Sequence, residues 1–219
     1  MNDSSDPTFS YTRAEKTAIY KVMAERRDMR HFNNEKVSED LISKLLYAAH
    51  MAPSVGLMQP WRFIRIRNTE KREAIQTLVE NERDLTAAAL ASRKAEFLKL
   101  KVEGLKECSD VIVAALPDKR DEHVFGRRTL PEMDLASLSC AIQNMWLAAR
   151  AEGIGMGWVS IFDPEALKTV LNMPPDSHPV AILCIGHVDA FYEKPMLVME
   201  EWATERSLDE FVFEDEWQY

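Results

Sequence analysis

Helical and strand-like patterns of apolar residues alternate along most of this chain. Residues 111–116 are apolar throughout and too few for a typical helix, which indicates a strand buried on both faces. Residues 133–151 repeat apolar positions with helical spacing and end close to Gly153, which suits the left-handed conformation that follows a helix. The pattern predicts helices over 12–25, 39–49, 71–105 with a break near 81–84, 133–151 and 164–171, and strands over 61–67, 111–116, 155–161 and 180–185.

Residues 187–219, the C-terminal extension, follow neither pattern. They carry several large aromatic side chains, among them Trp202, Phe211, Phe213 and Trp217. A segment this irregular cannot form a core alone, and so many exposed aromatics would make a patch that monomers rarely tolerate. The extension therefore either wraps its own domain or packs on a second subunit, and we favour the second interpretation.

Composition and charge narrow the class of protein. The 219 residues are enough to bury a substantial core as one domain, and the net charge of −9 argues against nucleic acid as the main partner. Cys108, Cys140 and Cys184 are widely spaced and odd in number, which fits a reducing compartment rather than a disulfide framework. The five histidines lack metal-ligand spacing, so no metal site is expected. Residues 1–10 do not resemble a signal peptide and no run approaches the roughly 18 apolar residues of a membrane span, so we expect a cytoplasmic protein.

The densest chemistry lies in residues 26–32, the arginine segment, which reads RRDMRHF. Arg26, Arg27 and Arg30 offer rigid donor forks that suit phosphate or another anion. Asp28 stands among them, where positive charge favours the ionised carboxylate. Because a carboxylate repels an anionic ligand, Asp28 either neutralises a neighbouring arginine or takes part in chemistry.

Two further segments are candidates for ligand contacts. Residues 52–61, the proline loop, join a predicted helix to a predicted strand and offer the side chains of Ser54 and Gln59. This loop either grips a ligand or is an ordinary proline-bounded connection. Residues 153–157, the glycine segment, have a helix before them and a strand after, which is the reverse of the dinucleotide fingerprint. Their glycines either let the backbone pass close to something flat or bulky, or simply make a tight turn.

The order of these segments carries a family resemblance. RRDMRHF, then APSVGLMQPWRF, then GMGWVSIFDP, then a strand and a long extension is similar to the nitroreductase-like flavoprotein family. The chain looks most like the oxygen-dependent branch of that family, the 5,6-dimethylbenzimidazole synthases. The wider family usually has a neutral residue in place of Asp28 and asparagine in place of Leu57, and both departures match the branch. Residues 125–164 resemble the branch throughout, and the resemblance covers about residues 15–217.

The resemblance implies an α+β fold, with a mixed central sheet flanked by helices, in an obligate homodimer that holds two flavin mononucleotide (FMN) sites at its interface. It implies a single domain over residues 1–219, in which about 84–105 form a lid over the flavin ring and the C-terminal extension embraces the partner. It also implies which residues contact the flavin. These are Arg26, Arg27, Asp28, Met29 and Arg30 near the phosphate and ribityl chain, Ser54 and Gln59 from the proline loop, Trp158, Val159 and Ser160 along the isoalloxazine edge, and Arg206 as a further candidate for the phosphate.

The reaction that the resemblance implies consumes the flavin. Reduced FMN, supplied by a separate flavin reductase, reacts with molecular oxygen and yields 5,6-dimethylbenzimidazole, the lower ligand of vitamin B12, together with erythrose 4-phosphate. Asp28 is then the candidate general acid/base and Ser160 a second catalytic candidate at the ring edge. The non-catalytic interpretations are an ion pair of Asp28 with Arg27 or Arg30, and a Ser160 hydroxyl that bonds only to the backbone.

Two other functions stay open at this point. One is an NAD(P)H-dependent nitroreductase-type FMN oxidoreductase that keeps its flavin and reduces small aromatics. The other is a protein that stores or delivers FMN. A carboxylate at position 28 argues against an ordinary flavin reductase, which has no need of it. The basic pair Arg127 and Arg128 is open between surface salt bridges and a contact with the flavin of a partner subunit.

Overall fold

The computed structural model describes residues 10–217, over which helices and strands alternate much as the sequence pattern predicts. The helices are α1 (Arg13–Glu25), α2 (Glu39–His50), α3 (Thr69–Ala89), α4 (Lys94–Phe97), α5 (Met133–Ala151), α6 (Pro164–Leu171) and α7 (Met196–Met199). The strands are β1 (Arg62–Ile66), β2 (Asp110–Leu116), β3 (Gly155–Val159) and β4 (His178–Gly186). Single 3₁₀ turns lie at Val55–Leu57, Ala91–Arg93, Arg120–Glu122 and Leu208–Glu210.

The four strands form one sheet in the order β1-β2-β4-β3, and each neighbouring pair is antiparallel. The expected α+β class is confirmed. Within residues 10–217, parallel pairing is limited to one isolated bridge between Asp28 and Met156. The parallel part of the expected mixed sheet is therefore a single contact, because the arginine segment touches β3 too briefly to count as a strand.

Side chains of β2 and β4 alternate between two hydrophobic clusters, one on each face of the sheet. Ile112 and Leu183 belong to the cluster built with α2 and α5. Val113 and Ile182 belong to the other cluster, to which α3 and α6 contribute. Because helices cover both faces, β2 is buried along its whole length. This confirms the buried strand that the apolar run predicted.

The residues predicted to begin and end helices are confirmed. The Ser38 hydroxyl accepts a hydrogen bond from the Leu41 N–H at the start of α2. The Asp163 carboxylate caps α6 in the same way, with Pro164 at the first helical position. Gly153 follows α5 with a φ of +73°, the left-handed conformation that its position predicted.

The break predicted near residues 81–84 is wrong, because α3 runs without interruption to Ala89. Val79 and Ala87 are both fully buried, so the same face of the helix continues across the polar stretch. Polar residues there occupy the solvent side, and their spacing does not oppose a helix. The helical region ends after Ala89 in a 3₁₀ turn and the short helix α4.

Arg127 and Arg128, whose roles the sequence left open, have different environments. Arg127 is buried and pairs with the buried Asp134 of α5 over 3.0 Å. This ion pair fixes the loop that precedes α5. Arg128 is exposed on the same loop.

Two segments contribute little to the core of their own protomer. α1 has no buried residue, although Ile19 and Met23 are apolar. Residues 203–217 are exposed at every position except the half-buried Phe213. Among the described residues, no helix is both long enough and apolar enough to pass through a lipid bilayer.

Candidate active site

Gly157 lets the arginine segment lie directly against β3. The Met29 N–H donates to the Met156 carbonyl over 3.0 Å, next to the bridge at Asp28. A Cβ at Gly157 would collide with the Met29 carbonyl and would lie 2.7 Å from Arg30 Nη1. Of the two interpretations of the glycine segment, close approach therefore holds at Gly157, and the close neighbour is the chain's own arginine segment.

A cavity of about 640 Å³ opens beside this contact, within the roughly 300–1,000 Å³ typical of ligand sites. Its polar wall includes Arg26, Arg27, Asp28, Arg30 and Ser160, together with Thr86 and Glu205. Its apolar wall includes Leu90, Phe97, Leu100, Val102, Ile161, Leu197 and Trp202. A ligand with one anionic or hydroxylated end and one flat apolar end matches these two walls.

Asp28 is held in the cavity wall by two donors. Its Oδ1 accepts the Trp158 backbone N–H over 2.9 Å, and its Oδ2 accepts Arg30 Nη2 over 2.7 Å. The same Nη2 also donates to the Trp158 carbonyl over 2.7 Å. Three hydrogen bonds thus join Asp28, Arg30 and the Trp158 main chain into a closed ring.

The surroundings of Asp28 change its protonation. Burial raises the pKa of the Asp28 carboxyl above its ordinary value, against the lowering effects of Arg30, the Trp158 N–H and Arg26. From the sequence, positive charge was expected to dominate, whereas burial is the larger effect. The carboxyl is closely surrounded by protein atoms, although 41% of its side-chain surface still faces open space. A carboxyl with a raised pKa in a cavity wall is suited to proton exchange with a ligand.

Arg26 and Arg27 are oriented by contacts other than Asp28. The Arg26 guanidinium lies 4.6 Å from the centroid of the Trp146 ring. Arg27 donates from Nη1 to the Ala24 carbonyl and from Nη2 to the Glu193 carbonyl, over 2.7 and 2.8 Å. Arg27 Nε is buried and has no hydrogen-bond partner within the described range.

The remaining predicted residues near the cavity differ in what they present to it. Ser160 is exposed and lines the cavity. The side chains of Met29 and Val159 are buried in the hydrophobic core, so they do not face a ligand. Neither residue lines the cavity, so the contacts with a ligand expected for them stay a prediction.

The proline loop does not reach this cavity within one protomer, since neither Ser54 nor Gln59 lines it. Instead the Ser54 hydroxyl accepts the Gln59 N–H over 3.0 Å inside the loop. Leu57 and Gln59 adopt φ values of +51° and +47°, and Leu57 is 80% exposed. Strained backbone in non-glycine residues is concentrated at ligand sites and other functional segments. This favours a functional loop over an ordinary connection.

Arg206 also lies outside the cavity wall. Its guanidinium pairs with Glu210 over 2.8 Å and lies over the Phe211 ring. The contact with phosphate expected for Arg206 stays a prediction.

Trp202 is a cavity residue that the sequence argument did not place there. The Arg93 guanidinium lies 3.5 Å from the centroid of its ring, and Phe97 packs against it with ring centroids 6.1 Å apart. The Trp202 carbonyl accepts from Arg93 Nη2 over 3.1 Å. The C-terminal extension thus joins residues 84–105 in closing one side of the cavity. The density of aromatics in the extension was the sequence signal for such a contact, but it did not identify the surface contacted.

Comparisons with known proteins agree with this fold and identify the family of the chain. Residues 23–187 match the model of the nitroreductase family. A 5,6-dimethylbenzimidazole synthase from Rhodospirillum rubrum is 37% identical over 186 residues, which are 83% of this chain and 87% of that protein. Another, from Rhodobacter capsulatus, is 35% identical over 195 residues, which are 88% of this chain and 94% of that protein.

Solved structures show the same fold at lower identity. Iodotyrosine deiodinase bound to FMN and 3-iodo-L-tyrosine gives a TM-score of 0.71 at 19% identity, over 91% of this chain and 100% of that chain. The NADPH:FMN oxidoreductase of Vibrio harveyi, in complex with NAD⁺, gives 0.69 at 16% identity, over 92% and 79%. With a family model that matches most of its length and relatives above 30% identity, this chain belongs to the nitroreductase family.

Proposed function

We propose that this protein uses molecular oxygen to break down reduced FMN, with 5,6-dimethylbenzimidazole, the lower ligand of vitamin B12, and erythrose 4-phosphate among the products, and with the pyrimidine end of the ring released as a further fragment. The observation that carries the proposal is the Asp28 carboxyl in the cavity wall, held by Arg30 and the Trp158 N–H. An enzyme that only passes electrons through its flavin needs no carboxyl at this point. The names of the two Rhodospirillum and Rhodobacter relatives support the same activity.

The cavity suits both ends of FMN. Arg27 Nε, Arg30 Nε and Arg30 Nη1 are buried donors without a partner among residues 10–217, and oxygens of a phosphate or ribityl chain would satisfy them. The apolar wall suits the dimethylated ring. Reduced FMN bound there would supply both the electrons for oxygen and the carbon skeleton of the product.

The protein's own groups then have distinct tasks. The three arginines bind the anionic end of the ligand. Asp28 exchanges a proton with the ribityl chain or the ring through its carboxylate oxygens. Ser160 offers a hydroxyl at the ring edge that donates or accepts a proton. Trp158 and Val159 contact the ring edge from β3.

Residues 84–105 act as the lid of this site. Leu90, Phe97 and Leu100 supply its apolar wall, and Trp202 joins them from the C-terminal extension. By covering the ring, these side chains exclude water from the reacting groups.

The working unit is a homodimer with its flavin sites at the interface. α1 and residues 203–217 leave apolar side chains exposed, which a second copy of the chain would cover. The proline loop would then bring Ser54 and Gln59 to the cavity of the other protomer, and the C-terminal extension would bring Arg206.

The proposal also includes a separate flavin reductase, which renews the reduced FMN that each turnover consumes, and a cytoplasmic location.

The test is an aerobic incubation with chemically reduced FMN and no NAD(P)H, followed by mass analysis of the small molecules. We expect 5,6-dimethylbenzimidazole from the wild-type protein. Asp28→Asn keeps the side-chain size and loses the proton-exchanging group, so its product should fall by about 10²- to 10⁴-fold while oxidised FMN still binds. Recovery of intact FMN and hydrogen peroxide from the wild type would contradict the proposal and favour the NAD(P)H-dependent alternative. Unchanged product from Asp28→Asn would remove Asp28 as the catalytic group.

A further inference from the structure

We propose that Arg30 is the positioning residue for Asp28: its guanidinium fixes the orientation of the Asp28 carboxylate and favours its ionised form. The meaning of this assignment for catalysis rests on the proposed function, in which Asp28 handles protons. From the sequence, Arg30 was grouped with Arg26 and Arg27 as a ligand of the flavin phosphate. The contacts of the three arginines separate Arg30 from the other two.

Arg30 closes the hydrogen-bonded ring around Asp28. Its Nη2 donates both to Asp28 Oδ2 and to the Trp158 carbonyl, each over 2.7 Å. The Trp158 N–H completes the ring by donating to Asp28 Oδ1 over 2.9 Å. Rotation of the carboxylate would break a bond at each of its oxygens. The ring therefore selects one orientation of Asp28 in the cavity wall.

Burial makes Arg30 and Asp28 depend on each other. Only 9% of the Arg30 side chain is exposed, and within residues 10–217 its single ion-pair partner is Asp28. A buried guanidinium is stabilised by a counter-ion, and Asp28 supplies it, so the two side chains help to hold each other in place. Gly157 is part of the same arrangement, since a Cβ there would press on Arg30 Nη1.

Other charged groups near Asp28 do not replace this contact. Arg26 and Arg27 on the same segment and Glu205 from the C-terminal extension line the cavity, but none of them is hydrogen-bonded to Asp28. The lid contributes apolar side chains and the uncharged Thr86 to the wall, and β3 contributes the Trp158 main chain. Arg30 and Arg26 both lower the pKa of Asp28, Arg30 more than Arg26, against the raising effect of burial. Removing Arg30 should therefore raise the pKa of Asp28 further.

The experiment measures the protonation of the Asp28 carboxyl directly. Protein labelled with ¹³C at the aspartate carboxyl carbon is titrated by NMR, and the spectrum of Asp28→Asn assigns the Asp28 resonance. In Arg30→Gln we expect the titration midpoint of Asp28 to move upward by about one pH unit or more, as for loss of an adjacent opposite charge. Arg30→Lys keeps the charge but lacks the planar fork, so its midpoint should lie between the two. Arg67→Gln removes an exposed, ion-paired arginine remote from the cavity wall and should leave the midpoint in place.

A midpoint in Arg30→Gln that equals the wild-type value would overturn the assignment, and so would a lysine variant that shifts Asp28 as far as glutamine does. If Arg30→Gln does not fold, the double variant Arg30→Gln/Asp28→Asn decides, because removing both charges should restore folding if each charge is unfavourable only without the other. A double variant that stays unfolded would therefore also overturn the assignment.

The titration needs neither reduced FMN nor oxygen, so its outcome is independent of the activity. A wild-type protein that makes no 5,6-dimethylbenzimidazole would refute the proposed function and leave the pairing of Arg30 with Asp28 standing on the NMR result. Where product is formed, the pH profile of its rate should move in the arginine variants in the same direction as the Asp28 titration. A profile that does not move would overturn the catalytic meaning of the assignment.

Discussion

The arginine segment and the proline loop were both predicted to contact the same ligand, yet within one protomer only the arginine segment lies at the cavity. The arginine segment is packed against β3, and its charged groups meet at a cavity of their own chain. The proline loop lies away from that cavity and keeps the exposed Leu57 in a left-handed conformation. The contacts that orient Asp28 are complete within one protomer, whereas the proline loop is strained and open.

This difference indicates which groups of a site at a subunit interface must be positioned within one protomer and which can come from the partner. Groups that exchange protons must be held within tenths of an ångström, and intrachain contacts such as the Asp28–Arg30–Trp158 ring achieve this before any partner arrives. Groups that only surround the ligand, such as those of the proline loop, can be supplied by a second subunit. The proposed dimer accounts for the exposed Leu57 in these terms.

Removing residues 206–219 should separate the two protomers, so that the proline loop no longer reaches the cavity of the partner. We expect this change to have the largest effect. The described part of this segment includes Leu208, Phe211 and Trp217, each of which is more than half exposed within its own protomer. We expect the shortened chain to sediment as a folded monomer and to lose most of its affinity for FMN. The titration of Asp28 should change little, because its ring of contacts is internal. A shortened chain that remains dimeric would refute the role proposed for the extension.

Gly157→Ala would instead disrupt the contact between the arginine segment and β3. The added methyl group has no room beside the Met29 carbonyl, so we expect a loss of about 3 kcal/mol in the free energy of unfolding. Gly153→Ala is the matched control, since nothing lies within 4 Å of that position. Its φ of +73° should cost only about 1 kcal/mol. Equal losses in urea unfolding would mean that the contact with the arginine segment is not tight.

Leu57→Asn would sharpen the comparison with the smallest effect. Asparagine tolerates the left-handed conformation better than leucine. In the shortened, monomeric chain, where no partner covers position 57, we therefore expect the free energy of unfolding to rise by about 0.5 to 1 kcal/mol. Leu130→Asn changes another exposed leucine, which lacks the positive φ, and should give no gain. Urea unfolding of both variants at one protein concentration checks this. A gain at both positions would attribute the effect to lost surface hydrophobicity rather than to relieved strain.

Much of the fold follows from short-range signals. The apolar run at 111–116, the cap at Ser38 and the stop at Gly153 each depend on neighbours within a few positions, and each is confirmed. The break expected within α3 failed because a run of polar residues was given more weight than the buried face that Val79 and Ala87 continue. The cluster of Asp28 with three arginines is likewise visible in the local sequence, because it lies within five consecutive residues.

By itself, the sequence determined the order of the helices and strands and identified the segment proposed to carry the chemistry, because periodicity, caps and local charge act over short separations along the chain. The class of fold followed from the family resemblance. Only the tertiary structure decided that Arg30 pairs with Asp28, that Gly157 makes room for both, and that Trp202 closes the cavity. Position 158 is 130 residues from Asp28, and Trp202 is 109 residues from Arg93. Which of several arginines meets the carboxylate is settled by how β3 and the C-terminal extension pack, and no local pattern contains that information.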